Sequence, residues 1–239
     1  MSKRDHQSIF LCSINDLMTS LAVVFILLLA VYANHAKAET VKFQKLIKEL
    51  QTTAKGTFTI KEALKNKLKS QNIPFDNDDK DALALVYTAP DDKLQFDVDQ
   101  AILHPSGKTY LNLFIPKIMN VLSEPSIATN IESILIEGHT DSDGEDEHNL
   151  KLSQERAFAV LTYSLNSCDL PHSQRDLFLN LTSINGRGER CLLPTGSREG
   201  NESKDESRRV LFKIRVKSVE QKTKDAQALT SAPAQLQTK

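Results

Sequence analysis

ILIEGHTDSDGEDEHNLKLSQERA, residues 134–157, passes from an apolar strand pattern through a polar loop into an amphipathic helix. The strand pattern begins at 131 and ends at Gly138, and the helix is expected to start after Asn149. Over 150–166, Ser153, Ala157, Val160, Leu161, Ser164 and Leu165 share one helical face, which should pack on a sheet. Three further runs read as strands: LALVYT at 83–88, LTSINGRG at 181–188 and RRVLFKIRV at 208–216. The last alternates Val210, Phe212, Ile214 and Val216 with charged neighbours, the period-2 signature of a half-buried strand. SGKTYLNLFIPKIMNVLS at 106–123 predicts a helix interrupted or bent near Pro116. Strands separated by helices imply an α/β domain with helices on one face of the sheet.

Toward the N-terminus the character changes. IFLCSINDLMTSLAVVFILLLAVYA, residues 9–33, carries one formal charge, Asp16. At helical rise it reaches roughly 37 Å, enough for a hydrocarbon core of about 30 Å with some tilt. Lys3 and Arg4 precede it and favour a cytoplasmic N-terminus, with the remainder periplasmic. A cleaved signal peptide ending near Ala36-Lys37-Ala38 is the alternative, although Asn15 and Asp16 are unusual inside such an apolar region. After the span, Val41, Leu46, Ile47 and Leu50 fall on one side of a stalk helix that Gly56 should interrupt. A second amphipathic segment should then start behind Thr59 as N-cap and stop before Pro74. From Val219 the chain, rich in Gln, Ala, Thr and Lys, has too little apolar content to fold alone and is expected to be disordered.

A net charge of -1 over 239 residues gives no basic face for nucleic acid, so none is expected as a direct partner. The acidic run Asp141, Asp143, Glu145, Asp146, Glu147 suggests calcium, but Gly144 falls at position four where an EF-hand loop needs its glycine at six. His139 and His148 lack partners at zinc-like spacing, and no metal or cofactor is expected. TGSREG at 195–200 lacks the Gly-x-Ser-x-Gly spacing of a nucleophile elbow, so no hydrolytic site stands out and the chain is not expected to be an enzyme. Cys168 and Cys191 lie in the part expected to be periplasmic, where oxidising conditions allow a bridge. A Cys168–Cys191 disulfide is expected, with two buried thiols as the alternative.

The pattern EGHTD, then a glycine, then N-x-x-L-S-x-x-R-A, resembles the OmpA-like peptidoglycan-binding domain, also found in flagellar stator B subunits of the MotB type. The likeness spans roughly 76–217 and includes GRGE at 186–189 and RRV at 208–210, whereas SKDES at 203–207 replaces the family's usual Gly-Arg-Ala-x-Asn run. It implies a mixed sheet with helices on one face and a site for the diaminopimelate of the cell-wall stem peptide. That zwitterion needs an anion and a cation close together, so the resemblance gives its ammonium to Asp141 and its carboxylate to Arg156. Arginine suits the second role because its planar fork can hold a carboxylate through two hydrogen bonds. By motif match Thr140, Asn149 and Leu152 line the same pocket, Arg208 closes it, and the positive end of the helix opening at Leu150 adds attraction for anions. The plainer alternative is a mutual Asp141–Arg156 surface ion pair, contributing at most about 1 kcal/mol and binding nothing.

Asp16 lies about seven residues, or roughly 10 Å, inside the span. An aspartate there costs on the order of 2.5–3.5 kcal/mol on insertion scales, so it ordinarily faces protein or water and serves transport. Thr19, Ser20, Val23, Leu27 and Ala30 follow on the same side and would face a partner. NDLMTSLAVVFILLLAVYA resembles the A-D-x-x-T span of stator B subunits, in which this aspartate carries the permeating H⁺ or Na⁺. Asn15 in place of the usual alanine, and the missing upstream aromatic, make the segment look closer to the B subunits of Zorya anti-phage systems than to flagellar ones. The resemblance implies a homodimer inside a pentameric ring of multi-helix, MotA/ExbB-like A subunits, anchored on peptidoglycan in the inner membrane. The expected organisation is a cytoplasmic tail (1–8), a transmembrane helix (9–34), a periplasmic helical linker (35–75), an OmpA-like domain (76–218) and a disordered tail (219–239). A flagellar stator subunit and a passive wall tether remain the alternatives.

Overall fold

The structure, a computed structural model, describes residues 3–90, 93–94, 96, 99–193 and 203–231; side chains at 3–17 and at 38, 46, 49, 50, 53, 54, 226 and 228–231 lie outside the description. The chain divides into two units, Met1–Thr53 and Ala54–Lys239. The first is helical throughout its described length, as part of helix α1, Lys3–Ser70. Among the described residues, its segment Met18–Lys45 is long and apolar enough to cross a membrane. Leu21, Phe25, Leu28 and Tyr32 there are exposed large apolar side chains.

The last turns of α1 belong to the second unit, where the helix differs from expectation. It runs through Gly56, and the hydroxyl of Thr59 donates back to the Lys55 carbonyl (2.9 Å) instead of capping a new start. A single glycine costs a helix only about 1 kcal/mol. Leu64 and Leu68, fully buried in the core, supply more than that. The helix stops at Ser70, ahead of Pro74, with Asn72 in the left-handed region (φ 61).

The rest of the unit is a five-stranded mixed sheet with its helices. In chain order the elements are β1 (Asp76–Asn77), β2 (Ala84–Thr88), α2 (Pro105–Leu122), α3 (Pro125–Ala128), β3 (Ile131–Gly138), α4 (Asp146–Ser167), α5 (His172–Leu181), β4 (Thr182–Gly186), α6 (Lys204–Ser207), β5 (Val210–Val216) and α7 (Val219–Ser231). The strand order is β1-β2-β5-β3-β4; β3 and β4 are parallel and the other pairs antiparallel. Register places Leu85, Ile134, Ile136, Phe212 and Ile214 on one face, all buried, where they share a core with Ala157 and Val160 of α4 and Leu111 and Ile115 of α2. The opposite face carries Leu135, Glu137, Lys213 and Arg215. Helix α2 continues across Pro116: the carbonyl that the proline leaves unpaired belongs to exposed Asn112 and is open to water.

Three other expectations are corrected. Helix α4 begins at Asp146, one turn earlier than the start placed after Asn149, and Asp146 and Glu147 in its first turn complement the helix dipole. The tail is not without order from Val219, because α7 forms there; residues 232–239 lie outside the description. Ser218 and Gln221 make a reciprocal capping box, Gln221 N to Ser218 Oγ (3.2 Å) and Ser218 N to Gln221 Oε1 (2.7 Å), and Lys222 donates to Thr57 of α1 (3.3 Å). Cys168 and Cys191 are both free thiols. Cys168 ends α4, the helix that returns the chain from the C-terminal end of β3, while Cys191 follows the C-terminal end of parallel β4. They lie at opposite ends of the sheet, whereas a bridge needs Cα atoms roughly 4.4–6.8 Å apart. Burial pushes the Cys168 thiol up to about 11, which keeps it protonated and unreactive.

Candidate functional site

The polar loop after β3 is fixed by its neighbours. His139 N donates to the Arg209 carbonyl (2.9 Å) and Thr140 N to the Gly188 carbonyl (3.1 Å), so the exit of β3 is held between the entry to β5 and the turn after β4. Gly188 has φ +55, and its N–H is received by Ser153 Oγ of α4 (2.9 Å). At Gly138 an added Cβ would stand 2.1 Å from the Ser153 carbonyl, so β3 can meet α4 this closely only through glycine. Gln154 accepts from Gly186 N (2.7 Å) and completes the docking of α4 on the two parallel strand ends.

This packing presents Asn149, Leu152 and Arg156 along one face of α4, opposite Asp141. Arg208 enters from the junction of α6 and β5. Thr140, Asp141, Asn149, Leu152, Arg156 and Arg208, the six residues singled out in the sequence, line one cleft of about 1070 Å³. Asn149 ties the loop to the helix by donating to the Asp143 carbonyl (3.0 Å) and to Glu189 Oε2 (3.3 Å). Thr140 Oγ1 is buried at the wall with no hydrogen-bond partner among the described residues.

The charges pair differently from the simplest expectation. Asp141, which is nearly buried, holds Arg208 through Oδ2 (2.5 Å), and Arg208 also bonds Asp205. Arg156 is 5% exposed; its Nε donates to the Gln100 carbonyl (3.0 Å) and its guanidinium lies 5.3 Å from the Phe96 ring centroid. Burial lowers the Arg156 pKa and the Arg208 charge adds to that, against Asp141 and Asp99. At the mouth, Lys204 bridges both oxygens of Asp143 (2.6 and 2.7 Å) and His148 pairs with Asp99 (2.5 Å). No group of residues suited to a metal ion occurs among those described.

Phe96, Asp205 and Ser153 are among the residues at the site that the sequence did not flag for it. Ser153 was assigned only to a packing face, and the Arg156–Phe96 and Arg208–Asp205 contacts depend on how segments meet in space. Behind the cleft, Glu137 is enclosed by His139 (3.1 Å), Arg187 (3.1 Å) and Lys213 (3.5 Å), and Lys213 also reaches Asp78 (3.1 Å). Burial opposes ionisation of Glu137, yet the His139 hydrogen bond and the Lys213 and Arg187 charges outweigh it and hold the carboxyl at about 2. Burial also pushes the His139 pKa down, with the Arg209 and Lys213 charges, more than Glu137 lifts it. Asp16 lies in α1 and Cys12 with it, and their side chains lie outside the described residues.

Residues 95–204 match the OmpA family. The chain is 27% identical over 224 residues to the Zorya protein ZorB of Escherichia coli, which covers 90% of this chain and 91% of ZorB. It is 29% identical over 119 residues to Outer membrane protein A of Bordetella avium, covering 50% of this chain and 52% of that protein. Among solved structures, a putative MotB like protein from Desulfovibrio vulgaris superposes with a TM-score of 0.48 at 15% identity, covering 70% of this chain and 99% of that one. Behind a helix long and apolar enough to cross a membrane, the chain is thus similar to the OmpA family over residues 95–204, and to ZorB along nearly its whole length.

Proposed function

We propose that this chain is the wall-anchored, ion-conducting B subunit of a rotary motor in the inner membrane, acting in anti-phage defence. The observation that carries the wall-binding half is the meeting of Asp141 and Arg156, with Thr140, Asn149 and Leu152, in one cleft. A carboxylate and a buried, oriented guanidinium in one cavity suit a zwitterion: Asp141 takes the ammonium of a diaminopimelate residue and Arg156 its carboxylate. The apolar helix anchors the chain with its N-terminus in the cytoplasm and the OmpA-like domain in the periplasm. Asp16 carries H⁺ or Na⁺ along an interface with a multi-helix A subunit, five copies of which surround a dimer of this chain. The likeness to ZorB across 90% of the chain favours defence over motility.

Two experiments separate the halves. Retention of the detergent-solubilised full chain on purified sacculi should be lost in the Asp141→Ala, Arg156→Ala double variant; unchanged retention would sink the wall-binding site. Asp16→Asn should abolish ion flux and phage protection in cells expressing the complete system. A variant that still protects fully would reduce the chain to a passive tether.

A further inference from the structure

The carboxylate that a ligand's ammonium needs already has a cation on it. Arg208 holds Asp141 with one terminal nitrogen and Asp205 with the other, so one guanidinium spans an inner carboxylate, 11% exposed at its side chain, and an outer one, 87% exposed. The backbone around it is tied down. Ser203 N donates to the Leu193 carbonyl (2.8 Å), Leu193 N to Ser207 Oγ (3.0 Å), Arg208 N to the Lys204 carbonyl (3.1 Å), and the Arg209 carbonyl receives His139 N (2.9 Å). Exchange at Asp141 therefore falls to the Arg208 side chain, which is 40% exposed and has Asp205 as a second berth.

We propose that Arg208 is a built-in competitor that makes the cleft select zwitterions: it yields Asp141 only to an ammonium group whose own carboxylate reaches Arg156 at the same time. Charge balance gives the reason. A lone cation trading places with Arg208 on Asp141 swaps one ion pair for another and gains little. A lone anion meets Arg156 but leaves Asp141 and Arg208 as they are. A zwitterion replaces Arg208 with an ammonium and brings a negative charge into the cleft that the like charges Arg156 and Arg208 both line. Arg208, turning wholly onto Asp205, keeps one partner at the solvent edge. Asp205 belongs to SKDES, the segment where this chain departs from the pattern usual before the paired arginines.

This inference rests on the wall-binding reading, and calorimetric titration of the full chain in detergent tests both separately. The probes are the tripeptide N-acetyl-L-Ala-γ-D-Glu-meso-diaminopimelate, whose one free amine is on the diaminopimelate, and the same tripeptide acetylated there as well. Wild type should bind the first and not measurably the second. Arg208→Gln should bind the free-amine tripeptide about threefold to tenfold more tightly, and Asp205→Asn, which removes the outer carboxylate that Arg208 turns to, should bind it more weakly by a similar factor. Weaker or unchanged binding by Arg208→Gln with intact thermal unfolding makes Arg208 a ligand contact or a bystander and overturns the proposal. If Arg208→Gln does not fold, the exposed Asp205→Asn substitution decides, since unchanged or tighter binding there overturns it too. Wild type that ignores both tripeptides overturns the wall-binding reading itself.

Discussion

Glu137 and Asp141 leave the same end of β3, four positions apart, and the two carboxylates live in opposite surroundings. Glu137 faces the outer side of the sheet and is closed in by His139, Arg187 and Lys213. Lys213 is a strand residue in register with Leu135, and Arg187 follows β4, so two of its three partners are set by the sheet. Asp141 stands at a cleft, and its partner is a half-exposed arginine with another carboxylate at hand. The difference is one of exchange. A carboxylate whose cations are built into the scaffold stabilises the fold, while one whose cation can turn away is available to a ligand.

The largest expected effect breaks the structural side of this comparison. Glu137→Ala leaves Arg187 and Lys213 without their shared anion and the neutral His139 without its hydrogen-bond partner, and should cost about 3–5 kcal/mol, read from urea unfolding of the full chain in detergent. A loss as small as that of an exposed ion pair would erase the distinction. Gly138→Ala, between the two carboxylates, forces a methyl onto the Ser153 carbonyl and should cost about 1–3 kcal/mol while also lowering sacculus retention, since α4 carries Arg156.

Acid acts more gently on Glu137 and His139. His139 and Glu137 both titrate below their unfolded values of 6.5 and 4.5, so the unfolded chain binds their protons first. Their contribution to stability is whole above pH 6.5 and is lost as pH falls, first through His139 and then through Glu137 down to about 2. Urea midpoints should be level above neutrality and decline below it, and His139→Gln should remove the first stage; a midpoint rising toward acid would contradict the sign. The smallest effect concerns the cleft: Phe96→Leu removes the ring beside Arg156 and should weaken sacculus binding by about 0.5–1 kcal/mol without shifting the urea midpoint appreciably.

Much was legible in the sequence because it is local. The apolar pattern of 131–138 and the alternation in 208–216 mark β3 and β5, and the apolar run around Asp16 marks a helix long enough to cross a membrane. Five of the six cleft residues were legible through a motif in which a strand end, a loop and one helix face lie close in the chain, and Arg208 through the separate RRV run at 208–210. Short-range signals also misled. Gly56 and Thr59 look like a break, but the burial of Leu64 and Leu68 overrides a local glycine cost. The capping box at Ser218 and Gln221 lay hidden in a polar tail whose composition argued against order.

By itself, then, the sequence determined the elements, the sheet's buried face and the chemical types gathered around the loop after β3, since periodicity and motif spacing act over a few residues. Only the tertiary structure decided which charges meet. The crossing of β5 between β2 and β3 sets Lys213 against Glu137, and α6 carries Arg208 to Asp141 and Asp205. Parallel pairing of β3 with β4 places Cys168 and Cys191 at opposite ends of the sheet. Ion pairing and bridging depend on distances of a few ångströms between segments remote in sequence, and the packed sheet sets those distances.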